Sequence, residues 1–287
     1  MELINCIEDI SGLTENKIIF EGADPCALTL ISSSVCFKGS GNVLYVCKGV
    51  TLSESTISFE GSNSLVFLSG SKHPYKISLT LFNNNTAHFG KDCYFNDTLK
   101  AILSEEKHLW IGNEALLSYG ITMRLADPHL IYDCSSHRRI NPSESIFIGD
   151  HVWIGQDTLI LKGAKIGSGS IIGAKSIVPK KTVPSNQSWG GTPVKFLRSG
   201  VFFVDYCVHA WTKEKTDRYS TYNSNQFVYN ADGNTVSYES IDSFLSSEKD
   251  VSVRLDYILN KVPNGKNRFY IPPVKKKRRP LFFKRSK

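Results

Sequence analysis

Residues 148–182 read IGDHVW IGQDTL ILKGAK IGSGSI IGAKSI VPKKT. Ile148, Ile154, Ile160, Ile166, Ile172 and Val178 recur every six residues, and four residues after each comes a compact one: Val152, Thr158, Ala164, Ser170, Ser176 and Thr182. Gly149, Gly155, Gly167 and Gly173 directly follow four of the aliphatics. A helix repeats its apolar positions at three and four residues and a strand at two. A strict six fits neither. It fits a coil of very short strands, one aliphatic per flat side pointing inward, a compact residue at each corner and glycine relieving the turn. Because Ile154 points inward, Trp153 before it points out, and a large aromatic on an outer wall asks for something to cover it.

Outward from this stretch, the six-residue period begins at Leu109 with Ile111-Gly112, Leu117 and Met123, breaks, and resumes at Ile148 one residue off phase. The break, residues 125–145, holds Asp127-Pro128-His129, Asp133, His137, Arg138, Arg139 and Asn141. A polar, proline-bearing interruption of a regular solenoid is where function is usually placed. Upstream, Phe37-Lys-Gly-Ser-Gly-Asn-Val-Leu-Tyr-Val46 is echoed by Phe59-Glu-Gly-Ser-Asn-Ser-Leu-Val-Phe-Leu68. These units are longer than three hexads and read as wider, irregular coils of the same solenoid, with a separate β-sandwich as the alternative.

The expected division is 1–108 irregular coils, 109–198 regular coil with its loop at 125–145, 199–265 a C-terminal extension, and 266–287 a basic tail. In the extension, Gln226 to Tyr238 reads as a hairpin around an Asp-Gly turn. Ser240 to Leu245 and Val251 to Lys261 read as helices, the second with Val253, Leu255, Ile258 and Leu259 on one side. Packing over the last coil is its expected role.

With 287 residues and 41% hydrophobic content the chain can bury a sizeable core. Met1 to Ile10 has no basic segment followed by an apolar run, which argues against a signal peptide. The seven cysteines are scattered and form no CxxC, arguing for a reducing compartment and against a zinc knot or disulfide framework. Of the net charge of +7, eight positive charges fall between Lys275 and Lys287, leaving the body one unit negative. That tail suits nucleic acid or an anionic membrane face. No RNA-binding motif accompanies it, and each basic residue near an anionic membrane contributes about 1 kcal/mol, while Leu281, Phe282 and Phe283 can enter the headgroup region. The membrane is favoured. The expected location is the cytoplasm, with the tail as the means of docking on the inner face of the membrane.

The hexads resemble those of the hexapeptide-repeat acyltransferases, which implies an all-β, left-handed parallel β-helix with a small mixed C-terminal extension. Asp127-Pro-His129, Arg139-Ile-Asn141 and Ile148-Gly-Asp-His-Val-Trp-Ile-Gly155 resemble the signature of bacterial sugar O-acetyltransferases in that family. Those acting on capsular or lipooligosaccharide sialic acid are nearest, with maltose and galactoside acetyltransferases akin. Pro128 and the double Arg138-Arg139 depart from the pattern and leave the acceptor open.

The resemblance implies acetyl-CoA as donor and His129 as the base that deprotonates an acceptor hydroxyl. The chemistry calls for such a group independently, because a sugar hydroxyl attacks a thioester poorly until a base of near-neutral pKa takes its proton. Asp127 or Asp133 would orient the imidazole, with Arg139 in support, His151 as reserve base and His137 third. Trp153 would line the acetyl-donor site. The pantetheine would pair with amides around Gly173, Ala174 and Ser176, and the CoA phosphates with Lys180, Lys181, Lys195 and Arg198. A homotrimer with sites between protomers is implied.

Three other readings compete: N-acylation of a nucleotide-linked amino sugar, a trimeric zinc hydratase using three histidines, and a non-enzymatic solenoid. The zinc reading needs imidazoles on adjacent coils, whereas His129 and His137 share a loop and His151 is out of register.

Overall fold

Strands too short to make a broad sheet can still bury an inward row if they wind into a tube. The computed structural model, which describes residues 1–273, has this form. The first wall is an eight-stranded sheet running from Glu2–Ile4 to Ile177–Val178, and the second an eight-stranded sheet from Lys17–Phe20 to Thr182–Val183. The third is six-stranded, from Tyr94–Phe95 to Lys195–Ser199. The chain is a left-handed parallel β-helix. The expected boundary of the tail at 266 does not hold: Arg268 and Phe269 are buried, Phe269 in the cluster with Trp110 and Tyr238, so the extension runs on through these residues. Residues 274–287, and the membrane docking expected of 275–287, lie outside the described residues.

The inward aliphatics stack in register. Ile111 pairs with Ile148, and Ile148 with Ile166, on the second wall. Leu117, Ile154 and Ile172 do so on the third, and Met123, Ile160 and Val178 on the first. All of these side chains are buried in one continuous core. Upstream, Ser34–Phe37, Thr56–Phe59, Ile77–Leu81 and Leu99–Leu103 continue the first wall without a break, so the early repeats are coils of this tube and the separate sandwich falls away. Antiparallel strands close both ends: Glu2–Ile4 on Ser34–Phe37, and Lys195–Ser199 on Gln187–Gly190. An open parallel edge would otherwise invite further pairing.

The C-terminal extension differs from expectation. It holds three helices: α1 (Lys213–Arg218), α2 (Tyr238–Ser247) and α3 (Val251–Asn260). The second and third do not sit over the last coil. They lie along the outer face of the second wall, where Tyr238, Ile241, Leu245, Val251, Leu255 and Ile258 pack against Val43, Tyr45, Leu65, Phe67, Trp110 and Phe147. The physical reason lies in the strands: that wall carries apolar or aromatic residues on both faces, and its outer aromatics need a cover. Tyr45, Phe67, His88 and Trp110 form a continuous outer stack, with successive ring centroids 4.9, 5.1 and 3.8 Å apart. The buried face of α3 is Val251, Arg254, Leu255 and Ile258, while Val253 and Leu259 face solvent. The expected hairpin at 226–238 is absent. Asp232 instead turns the chain by accepting from the Asn234 amide at 2.8 Å, and no strand flanks it.

Arg254 crosses from α3 into the coil, donating to the carbonyls of Asn63, Asn84 and Asn85 and to the Thr86 hydroxyl. Burial lowers its pKa to about 10. Corner carbonyls freed from the ladder are satisfied by a side chain from the extension.

Candidate active site

The first wall's strand Thr122–Arg124 should hand the chain directly to the second wall, but residues 125–145 intervene before Ile146–Ile148. The loop therefore projects from the edge between the first and second walls. It folds on itself as a small hairpin: Tyr132 bridges Arg139, and the Ile140 amide donates to the Ile131 carbonyl at 2.9 Å. At its tip Asp133 Oδ1 accepts from the amides and hydroxyls of Ser135 and Ser136. These bonds, led by the Ser135 hydroxyl, hold its pKa well below the usual carboxylate range. His137 sits exposed in the same turn with φ 53°.

His129 is exposed on the near arm of this loop. Among the described residues no side chain hydrogen-bonds its imidazole, so neither Asp127 nor Asp133 orients the ring in this structure. The backbone around it is held instead. The buried Asn141 (6% exposed) donates from Nδ2 to the His129 carbonyl at 2.8 Å and accepts at Oδ1 from the Ile131 amide at 2.9 Å. Asp127 Oδ2 accepts from Lys162 Nζ at 2.6 Å and from Asn141 Nδ2 at 3.1 Å. The Lys162 bond is the chief cause of its lowered pKa. Arg139 makes a fork on Glu105, at 2.6 and 2.9 Å, and Ser143 donates to the same carboxylate. Arg139 is thus a strut of the loop, and Glu105 has its pKa drawn down to about 2, first by Arg139.

Trp153 lies elsewhere. It is on the third wall between Leu116 and Ile171, 38% exposed, with Nε1 donating to the Ser118 hydroxyl at 3.2 Å. Phe203, from the extension, leans on it at 5.8 Å. An outward aromatic was expected there and is found. His151 is not available as a base. Its ring, 4% exposed, is sandwiched between Phe203 and Phe227 at 4.1 and 3.8 Å, and its Nε2 is 3.0 Å from the Phe203 carbonyl. A flat ring in a turn with φ 52° serves here as the floor for the extension.

The expected cofactor-binding cations fall into two groups. Lys180 and Lys181 are at the first–second edge, Lys180 paired with Glu144 at 2.8 Å and Lys181 lying 5.2 Å over the Trp189 ring. Lys195 and Arg198 are exposed on the end strand of the third wall. Gly173 spends its amide on the Trp189 carbonyl at 2.8 Å and has no proton for a pantetheine, and the Ser176 hydroxyl is turned to the Gly173 carbonyl. Among the described residues no three His, Cys, Asp or Glu side chains gather as a metal site.

Within one chain the expected site residues therefore fall into two groups. His129, Asp127, Arg139, Lys162 and the paired lysines lie along one edge; Trp153, Lys195 and Arg198 lie on the wall facing away from that edge. The sequence singled out neither Lys162 nor Glu105, and Asn141 only as part of a motif. The available signal was a cation two residues after the inward Ile160.

Residues 145–180 match the family model described as bacterial transferase hexapeptide (six repeats). The chain is 27% identical over 126 residues to a polysialic acid O-acetyltransferase of Neisseria meningitidis, covering 44% of this chain and 58% of that protein. It is 34% identical over 103 residues to a polysialic acid O-acetyltransferase of Escherichia coli O1:K1 / APEC, covering 36% and 33%. The aligned part spans less than two thirds of either relative. Among solved structures, the polySia-specific acetyltransferase NeuO superposes with a TM-score of 0.61 at 25% identity, over 71% of this chain and 93% of that one.

Proposed function

We propose that the chain is an acetyl-CoA-dependent O-acetyltransferase that modifies a hydroxyl of a sialylated bacterial glycan, and that its active site forms between copies of a homotrimer. The observation that carries this reading is the separation of the exposed His129 loop from the exposed Trp153 wall. Edge against wall, two copies bring the halves together, and a three-fold arrangement closes after each copy has used both surfaces once. The similarity to polysialic acid O-acetyltransferases supports the choice of acceptor.

His129 takes the acceptor hydroxyl's proton as the oxygen attacks the thioester carbonyl carbon. The tetrahedral adduct then collapses, the carbon–sulfur bond breaks, and the same imidazolium returns its proton to the departing thiolate, releasing CoA and the O-acetyl sugar. Trp153 of the neighbouring copy offers an apolar, desolvating wall to the acetyl-pantetheine end. Lys195 and Arg198, on the same wall and without an ion pair among the described residues, unlike Lys180, supply cations for the CoA phosphates. Tyr119, exposed on the coil below, extends the apolar surface around Trp153.

The test is acetyl transfer from labelled acetyl-CoA to a panel of acceptors: a sialic acid polymer, a sialylated oligosaccharide, a neutral galactoside and an amino-sugar nucleotide. Thiol release with the sialylated acceptors, giving a base-labile ester, is the expected outcome. Transfer to the amino-sugar nucleotide alone, giving an alkali-stable amide, would replace this reading with N-acylation.

A further inference from the structure

We propose that Lys162 and Asn141 are positioning residues for His129, coupling the base to the rigid coil. The inference rests on the assignment of His129 above. A loop of this length carries a large conformational entropy, and a base must be held to within about an ångström of its productive place to be effective. The His129 side chain has no partner of its own among the described residues, so its position is inherited from its backbone.

That backbone is pinned at two points by one buried side chain. The Asn141 amide bonds the carbonyl of His129 and the amide of Ile131, at 2.8 and 2.9 Å, on either side of Leu130. Asn141 belongs to the loop and could move with it. Lys162 prevents this. It stands on the coil, just after the first-wall strand Leu159–Leu161, with its side chain only 20% exposed. Its Nζ reaches Asp127 Oδ2 at 2.6 Å and the Asn141 carbonyl at 3.2 Å. One ammonium therefore ties both ends of the loop to the core: Asp127, two residues before the base, and Asn141, twelve residues after it. Asp127 also accepts from Asn141 Nδ2 at 3.1 Å, which closes the triangle. Arg139 and Glu105 brace the same asparagine from the other side, with Arg139 Nη2 3.2 Å from its carbonyl. The Asp127 carboxylate thus serves the cation below it rather than the imidazole above.

The test combines a mutant cycle with a measurement of loop order. Lys162→Met and Lys162→Arg are assayed beside His129→Ala and the double variant His129→Ala/Lys162→Met, with acetyl-CoA and a sialic acid polymer. Lys162→Met is expected to lower kcat about 10- to 100-fold with little change in the KM for acetyl-CoA. Lys162→Arg recovers most of that loss. In the His129→Ala background the Lys162 substitution costs nothing further. An equal loss with and without His129 overturns the inference, whereas a fully active His129→Ala overturns the base assignment instead. A second readout needs no turnover. Amide hydrogen exchange of residues 127–141 is expected to quicken at least about tenfold in Lys162→Met and in Asn141→Ala, with the coil amides of 148–178 unchanged. Exchange at wild-type rates in the loop overturns the inference whatever the assay reads.

Discussion

Asp150 and Arg268 form a buried two-point ion pair across 118 residues of chain, with Arg268 Nε and Nη2 donating to Asp150 at 2.9 and 2.7 Å. Asp150 also accepts from the Asn113 amide at 2.7 Å, so this one carboxylate joins two successive coils to the end of the extension. A full negative charge at a coil corner and a full positive charge on a returning segment are thus held together in a buried place.

Removing the cation leaves that carboxylate uncompensated. Arg268→Ala is expected to cost about 3–5 kcal/mol, read as a fall in the urea midpoint with the slope held. The double replacement Asp150→Asn/Arg268→Met costs less than the single one. A loss under about 1 kcal/mol, the scale of an exposed pair, would show that the extension is held without it.

Acid should unfold the protein through its buried histidines. His88 is stacked between Phe67 and Trp110, its Nδ1 donates to the Ile111 carbonyl at 3.1 Å, and burial drops its pKa from 6.5 to about 3. His108, buried likewise, is also pushed well down. The folded value lies below the unfolded one, so the unfolded chain binds protons that the folded chain refuses. Stability is full above about pH 6.5 and is lost as pH falls toward 3. Glu105, held at about 2, adds to the loss below its ordinary 4.5. The melting temperature is expected to fall between about pH 7 and pH 5, and His88→Phe, which keeps the stack, should flatten that fall. An unchanged pH profile in His88→Phe would remove His88 as its source.

His129→Ala should lower kcat by about 10²–10⁴ without altering the circular dichroism. Trp153→Ala should also be impaired. Because the two side chains lie on different surfaces of each chain, co-expressing the two variants is expected to restore activity in part, from sites that draw His129 and Trp153 from different copies. A mixture no better than its components places both residues in one protomer's site or outside it.

Packing makes a simpler contrast within one strand. Ile160 sits in the ladder between Met123 and Val178 and is fully enclosed, whereas the next residue, Leu161, is half-buried on the outer face. Ile160→Ala is expected to cost about 2–5 kcal/mol, with Leu161→Ala costing clearly less in the same denaturant titration. Equal costs would mean that the outer face is packed as tightly as the core.

The coil was legible because its signal is local and repeated. Each of Ile148, Ile154, Ile160, Ile166, Ile172 and Val178 marks the same inward position, and all lie in one core. The outward placing of Trp153 followed from the same phase. The extension was read less well for an identifiable reason. Val253 and Leu259 looked like part of a buried face, but Arg254, a residue type that seldom hides, is the one enclosed, because its guanidinium finds four acceptors at a coil corner. The apolar runs Val43-Leu-Tyr-Val46 and Leu65-Val-Phe-Leu68 carried the missing clue, since a strand buried on both faces has no polar alternation.

The sequence by itself determined the period, the inward row, the site of the interrupting loop and its supply of titratable groups, since all of these depend on spacing along the chain. Only the tertiary structure decided which of them work together. Asn141 reaches His129's backbone, and Lys162 reaches Asn141 and Asp127, only because the chain folds back over the residues that separate them in sequence. His151 is taken out of reach by two aromatic rings from the extension, and the loop and Trp153 are set on surfaces facing apart. Those relationships come from which coil lies beneath which and from where a returning segment lands, and spacing along the chain does not encode them.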